Sequence, residues 1–251
     1  MSAQHPFELR ASDGKLIRGD RVIGTDRQIL FITGFLSQRW GNKSKALVQW
    51  SQEKGWGFCC YDVRGFGDSE GQFTQYTLSD WIADARTLLK SIEAGPPVTI
   101  VGNSLGSWIA WLVAQEFPIV EELILIAPAF NMMGERAKAI SKERRHDWHT
   151  AGWMPWDDDP LHRDWLLSWK WVEESETYWA KTFENLRPVQ TAIIHGEEDG
   201  VISPDGSKGF ADELLRRNPG FPLAFQLISG DHRLSSPEHL ELFRRLVMRE
   251  T

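Results

Sequence analysis

Ser104 stands between two glycines in Gly102-Asn103-Ser104-Leu105-Gly106, where an apolar run gives way to an amphipathic stretch. The spacing is G-x-S-x-G in strand–turn–helix context. A sharp turn there forces the serine into a strained backbone conformation, and small residues two positions either side relieve crowding against the strand and helix. The hydroxyl then projects near a helix N-terminus, whose positive end favours a developing anion. A serine hydroxyl is a weak nucleophile until a base takes its proton. Of the seven histidines, His5 is near the start, His146, His149 and His162 lie in a tryptophan-rich middle segment, and His239 belongs to the last helical pattern. His195 sits inside an apolar run and reads as a buried structural residue. His232 alone follows a strand terminus, in "SGDHRLSS", and is the natural general base. The base needs a carboxylate to fix its tautomer, and Glu197-Glu198-Asp199-Gly200 follows another apolar run. Asp199 is the best choice there, with Glu198 and Asp205 as alternatives. A tetrahedral oxyanion would need backbone donors, and the N–H groups of Leu105 and Phe35 are the candidates. Loss of one such donor typically costs about 3 kcal/mol in the transition state.

These groups are far apart in sequence, so the intervening elements must bring them together. "QILFIT", "GFCCYDV", "VTIVG", "ELILIA", "TAIIHG" and "LAFQLIS" are short continuous apolar runs, as expected of strands buried on both faces of a parallel sheet. Between them, residues 44–52, 78–92, 104–116, 205–217 and 237–248 carry apolar positions at three- and four-residue spacing, the mark of amphipathic helices. The opening residues alternate around Asp13-Gly14 and predict an edge hairpin. Strand and helix alternate through most of the chain, which predicts an α/β fold with a mostly parallel, doubly wound sheet. Working groups in such sheets gather at the carboxyl ends of the strands, and each candidate above lies in such a loop. Residues 130–186 break the rhythm. They show no convincing strand and hold seven of the thirteen tryptophans. We read them as a helical, Trp-rich cap inserted into a core made of residues 1–129 and 187–251. Phe35, Trp153, Trp156 and Trp169 are candidate substrate-binding residues, since tryptophan supplies large apolar area. The same rings could instead pack the cap onto the sheet.

A chain of 251 residues with 25% charged and 41% hydrophobic residues suits a single globular unit. The net charge of −7 gives no reason to expect a nucleic-acid partner. No apolar stretch approaches the roughly 20 residues that span a bilayer, and the first residues lack the apolar core of a secretory signal. Cys59 and Cys60 are adjacent in an apolar run and read as small buried hydrophobes. The expectation is a soluble, cytoplasmic protein.

"FITGF", "YDVRGFGDSEG", "VGNSLG", "IIHGEEDGVIS" and "SGDHR" together resemble the α/β-hydrolase fold superfamily across almost all of the chain outside the cap. The order Ser…Asp…His is the one that such hydrolases use. More narrowly, "TGFLSQRWGNKSKAL" and "GDHRL" resemble a group of serine hydrolases that includes mitochondrial acyl-protein thioesterases and acyl-glucuronide esterases. The resemblance implies cleavage of carboxylic esters or thioesters of apolar acyl groups, without metal or cofactor, and a structural role for the loop Asp62–Ser69. Thr33-Gly34 stands where the superfamily often has His-Gly, which keeps the backbone donor and loses any histidine contact. Ser203 stands where many relatives have proline. Carbon–carbon bond hydrolases and perhydrolases use the same triad and remain alternatives, and nothing in the sequence selects a peptide N-terminus. A non-catalytic binding protein on this fold is the reading from a different class.

Overall fold

Residues flanking Asp13-Gly14 pair as the expected hairpin, β1 (His5–Arg10) with β2 (Leu16–Val22). In the computed structural model, which describes residues 4–157 and 165–249, this hairpin forms one edge of an eight-stranded sheet. The apolar runs supply the other six strands: β3 (Gln28–Ile32), β4 (Gly57–Tyr61), β5 (Val98–Asn103), β6 (Val120–Ile126), β9 (Gln190–Gly196) and β10 (Leu223–Ile228). Their spatial order is β1-β2-β4-β3-β5-β6-β9-β10, parallel from β4 onward.

Apolar residues on alternate positions explain why the runs show no polar alternation. Leu30 and Ile32 of β3, Ile100 of β5 and Leu123 and Leu125 of β6 enter the core on one face. There they meet Leu88 and Leu89 of α2 (Leu78–Ile92), Trp108 and Trp111 of α3 (Leu105–Ala114) and Leu214 of α7 (Pro204–Arg217). Ile29 and Phe31, Val101, and Ile124 and Ile126 enter the opposite core. Their partners are Leu47 and Trp50 of α1 (Asn42–Lys54) and Phe243 and Val247 of α8 (Pro237–Met248). Cys59 and Cys60 of β4 point to opposite faces and are both buried free thiols. One apolar run departs from this rule. β10 is an edge strand with no fully buried residue, and Leu227 is 38% exposed.

The segment between β6 and β9 holds α4 (Met132–Ala139), α5 (Lys142–Ala151) and α6 (Lys170–Lys181). Contrary to the sequence reading, it also contains strand: β7 (Trp153–Pro155) pairs antiparallel with β8 (Leu166–Ser168). Three-residue strands are too short to display a period of two, so nothing in the sequence marks them. Several of the tryptophans fasten this segment down. Trp148 is buried and donates its indole N–H to Leu167 O at 2.9 Å, and Trp171 packs edge-on to Trp81 at 4.9 Å between centroids. Both ends of α6 are tied to the core. At one end Glu174 accepts from the Ser79 amide at 2.8 Å and the Thr77 hydroxyl at 3.1 Å, and at the other Trp111 Nε1 donates to Thr182 O at 3.1 Å. Among the described residues, no helix is long and apolar enough to cross a membrane.

Candidate active site

The chain leaves β5 and enters α3 through Ser104, whose φ of 53° and ψ of −121° lie outside the usual regions for a side-chain-bearing residue. Strain of this kind persists only where the surroundings over-determine it. Here Ser104 N donates to Ile126 O at 2.8 Å, while Ser104 O accepts from Ser107 at 3.0 Å and from Ala129 at 3.1 Å. The flanking glycines are required by close approach. A Cβ on Gly102 would stand 2.5 Å from Ser107 Cα, and one on Gly106 would stand 2.8 Å from the Ile32 carbonyl carbon, with the Ile32 and Thr33 oxygens closer still.

His232, in the loop after β10, brings Nε2 to 3.1 Å from Ser104 Oγ. Its Nδ1 lies 2.6 Å from Asp199 Oδ2. The loop is held from behind. Asp231 Oδ1 accepts the amides of Arg233 and Leu234 at 3.0 and 3.1 Å, and Lys43 Nζ donates to Arg233 O and Ser235 Oγ. Burial pulls the Lys43 ammonium down to about 8, against the pull of Asp231. Asp199 follows β9, and its Oδ1 accepts the amides of Val201 and Ile202 at 2.8 and 2.9 Å. Burial alone would raise its pKa. The Ile202 amide, His232 and the Val201 amide outweigh that, and the carboxyl is held below its ordinary value. Of the two alternatives, Glu198 binds the Gly230 amide and Ser229 hydroxyl instead, and Asp205 lies in the first turn of α7. The acid in contact with His232 is therefore Asp199.

Gly34 and Phe35 leave β3 against the serine: a Cβ on Gly34 would lie 3.1 Å from Ser104 Cβ. Among the described residues, no acceptor receives the N–H of Phe35 or of Leu105. The Phe35 ring is anchored by Trp156, Trp171, Trp81 and Phe73 at 4.8 to 5.8 Å between centroids. Three carboxylates clamp the far end of this loop through Arg39. Its Nε meets Asp20 at 2.7 Å, its Nη2 meets Asp68 at 2.8 Å, Nη1 meets Asp62, and its backbone amide donates to Asp62 Oδ1 at 2.6 Å.

Above Ser104 opens a cavity of about 1090 Å³, just above the usual range of about 300–1,000 Å³ for ligand sites. Phe35 and Trp156 line it, together with Phe130, Met132, Ile140, Trp179 and Phe210. Two predicted substrate residues are elsewhere. Trp153 is 43% exposed because β7 turns Met154, not its neighbours, inward. Trp169 packs edge-on to Trp148 at 5.3 Å and to His149 at 5.0 Å. Trp179, by contrast, reaches the cavity from α6. Its side is set by helix orientation, which composition does not reveal. Sequence reasoning also passed over the partners of His195. It is fully buried as expected, yet its Nε2 lies 2.9 Å from Asp199 Oδ2 and its Nδ1 lies 2.7 Å from Ser207 Oγ. The available signal was its position four residues before Asp199 across the strand end. Among the described residues, no cluster of three His, Cys, Asp or Glu side chains is arranged to hold a metal.

Comparison with known proteins places the chain in a family. A family model described as serine aminopeptidase, S33, matches residues 25–146. The mitochondrial palmitoyl-protein thioesterase ABHD10 of Rattus norvegicus is 34% identical over 237 residues, covering 88% of this chain and 74% of the relative. The structure of alpha/beta hydrolase domain-containing protein 10 from mouse has a TM-score of 0.85 at 22% identity, covering 98% of this chain and 97% of its own. Est1E from Butyrivibrio proteoclasticus, solved with ferulic acid, has a TM-score of 0.78 at 19% identity, covering 97% and 96%. The chain is a hydrolase and belongs to the α/β-hydrolase superfamily.

Proposed function

We propose that the protein hydrolyses esters or thioesters of apolar acyl groups through an acyl-enzyme on Ser104. The observation that carries this reading is the hydrogen-bonded line from Ser104 Oγ through His232 to Asp199, at 3.1 and 2.6 Å. His232 Nε2 takes the Ser104 proton as Oγ attacks the acyl carbon. The oxyanion is received by the Phe35 and Leu105 amides, which have no acceptor of their own among the described residues. Collapse breaks the bond to the leaving oxygen or sulfur, which takes the proton from His232. Water then repeats the sequence on the acyl-serine, releases the acid and restores Ser104. Asp199 stays ionised throughout and holds the imidazole tautomer.

Residues 130–186 act in this reading as the cap, and the apolar wall of Phe35, Trp156, Trp179, Phe130 and Phe210 receives the acyl chain. The thioester half of the proposal draws on the thioesterase named among the relatives. The compartment we propose is the cytoplasm. The test is a panel of aryl esters and acyl thioesters of increasing chain length, with wild type beside Ser104→Ala. Turnover that rises with chain length and vanishes in the variant is expected. Full activity in Ser104→Ala overturns the mechanism, and a preference for the shortest acyl groups overturns the assignment of the wall.

A further inference from the structure

His195, at the end of β9, has two acceptors at one ring nitrogen. Its Nε2 lies 2.9 Å from Asp199 Oδ2 and 3.1 Å from Ile202 O. Carboxylate and carbonyl oxygens only accept, so this nitrogen carries a proton. On the other side, Nδ1 is 2.7 Å from the fully buried Ser207 hydroxyl of α7. Burial disfavours the charged ring and outweighs the Ile202 carbonyl and Asp199, so the pKa is lowered and the neutral ring is favoured. A neutral ring with its proton on Nε2 must accept at Nδ1, which makes Ser207 the donor. The hydrogen-bond directions therefore form one chain: Ser207 O–H to His195 Nδ1, and His195 Nε2–H to Asp199 Oδ2.

The carboxylate at the end of this chain is saturated. Its Oδ1 takes the amides of Val201 and Ile202, and its Oδ2 takes the imidazoles of His195 and His232. Four donors match the four lone-pair sites of a carboxylate. Rotating the carboxylate would break bonds at both oxygens at once. The Ile202 carbonyl alone would satisfy the buried Nε2–H, so contact with Asp199 is more than the burial of a histidine needs.

We propose that His195 is a positioning residue for the hydrolytic site. It holds Asp199 Oδ2 against His232 Nδ1 as a neutral donor, and Ser207 sets its tautomer. The proposal rests on the reading of Ser104, His232 and Asp199 as the working triad. Among the described residues, the titratable groups acting on His195 are Asp199, from the loop after β9, and His232, from the loop after β10. From α7 it meets the Ser207 hydroxyl.

The experiment compares wild type with His195→Leu, His195→Gln, Ser207→Ala and Ser104→Ala on an aryl ester across pH, with thermal melts alongside. His195→Leu is expected to lower kcat by about 10- to 100-fold, the worth of one hydrogen bond to a charged group, with KM unchanged. With one donor fewer, Asp199 favours the imidazolium form of its partner more strongly, so the acid limb of kcat/KM moves to higher pH. His195→Gln returns an N–H close to Nε2 and should restore most of kcat and the original limb. Ser207→Ala frees the tautomer and should move both readouts the same way by less. Should His195→Leu not fold, the Gln and Ser207→Ala variants decide the matter. Variants that alter only melting, with kcat and pH profile as in wild type while Ser104→Ala is dead, overturn the role of His195. Activity surviving in Ser104→Ala removes the triad reading itself.

Discussion

Adding one methyl group at Gly106 tests whether the elbow and the proposed oxyanion loop are built as a single fitted joint. In Gly106→Ala the new Cβ would meet the Ile32 carbonyl carbon at 2.8 Å, whereas ordinary contact begins at 3.4 Å. The difference, about 0.6 Å, is a lower bound, because the Ile32 and Thr33 oxygens are closer still. Both obstacles are backbone, so no side chain can swing aside. The first turn of α3 must move away from the end of β3. These two pieces carry Leu105 and, two residues beyond Thr33, Phe35, so the methyl pries apart the two amides proposed to receive the oxyanion. Misplacement of this order costs about 100-fold in rate, and overpacking of this kind costs about 1–3 kcal/mol in stability. The assay is steady-state kinetics on an aryl ester with a urea titration of the same preparation. Expected are a fall of about 100-fold in kcat with KM little changed and a midpoint shift in the stated range. Gly209→Ala in α7 is the control for stability alone, since Gly209 lines the cavity. Nothing lies within 4 Å of its Cβ, so the helix should gain up to about 1 kcal/mol. A Gly106→Ala enzyme with wild-type kcat and midpoint would refute the reasoning.

Replacing Arg39 by Leu leaves Asp62, whose side chain is 1% exposed, without its cation. An abandoned buried charge costs about 3–5 kcal/mol, to be read from the urea midpoint. Asp68, at 69% exposure, should contribute little, so Asp68→Asn is expected to be nearly silent. Asp199→Asn should reduce kcat by about 10⁴-fold by freeing the wrong imidazole tautomer. The same substitution alters acid stability. Because the Asp199 carboxyl is held below its ordinary value, the folded state binds that proton less tightly than the unfolded chain. The resulting stabilisation is fully present above the ordinary carboxylate value and is lost as pH falls from there through the lower value of the folded state. Wild type should therefore lose stability relative to Asp199→Asn only as pH falls below about 5, with most of the loss below about pH 4, as measured by thermal melts.

The parts legible in the sequence were those that depend on strand ends. Ser104, Asp199 and His232 each follow an apolar run, and parallel strands deliver such loops to one edge whatever the helices do. The elbow glycines were legible for the same reason, since their spacing answers a local steric problem. Less legible was anything set by side-chain direction. Trp153, Trp156 and Trp169 look alike in sequence, but one is exposed, one lines the cavity and one packs against Trp148. Their fates were decided by a three-residue strand and by helix orientation, neither of which leaves a periodic trace. Arg39 was also invisible, because two of its three carboxylates, Asp20 and Asp62, lie 19 and 23 residues away on other elements. His195 was read correctly as buried, but its partners were not legible, because burial hides which acceptor a ring nitrogen will find.

The Arg39 clamp joins parts of the molecule that fold maps draw as separate. Asp20 belongs to β2, in the antiparallel hairpin that looks like trim at the sheet's edge. Through Arg39 and the indole of Trp40, which also donates to Asp20 at 2.9 Å, that strand grips the loop on which Phe35 is displayed. Shortening the protein to its parallel core would thus remove a tether of the proposed reaction centre along with the ornament. Fraying at the hairpin, the natural place for a sheet to loosen, would be felt at the serine as a slackened loop.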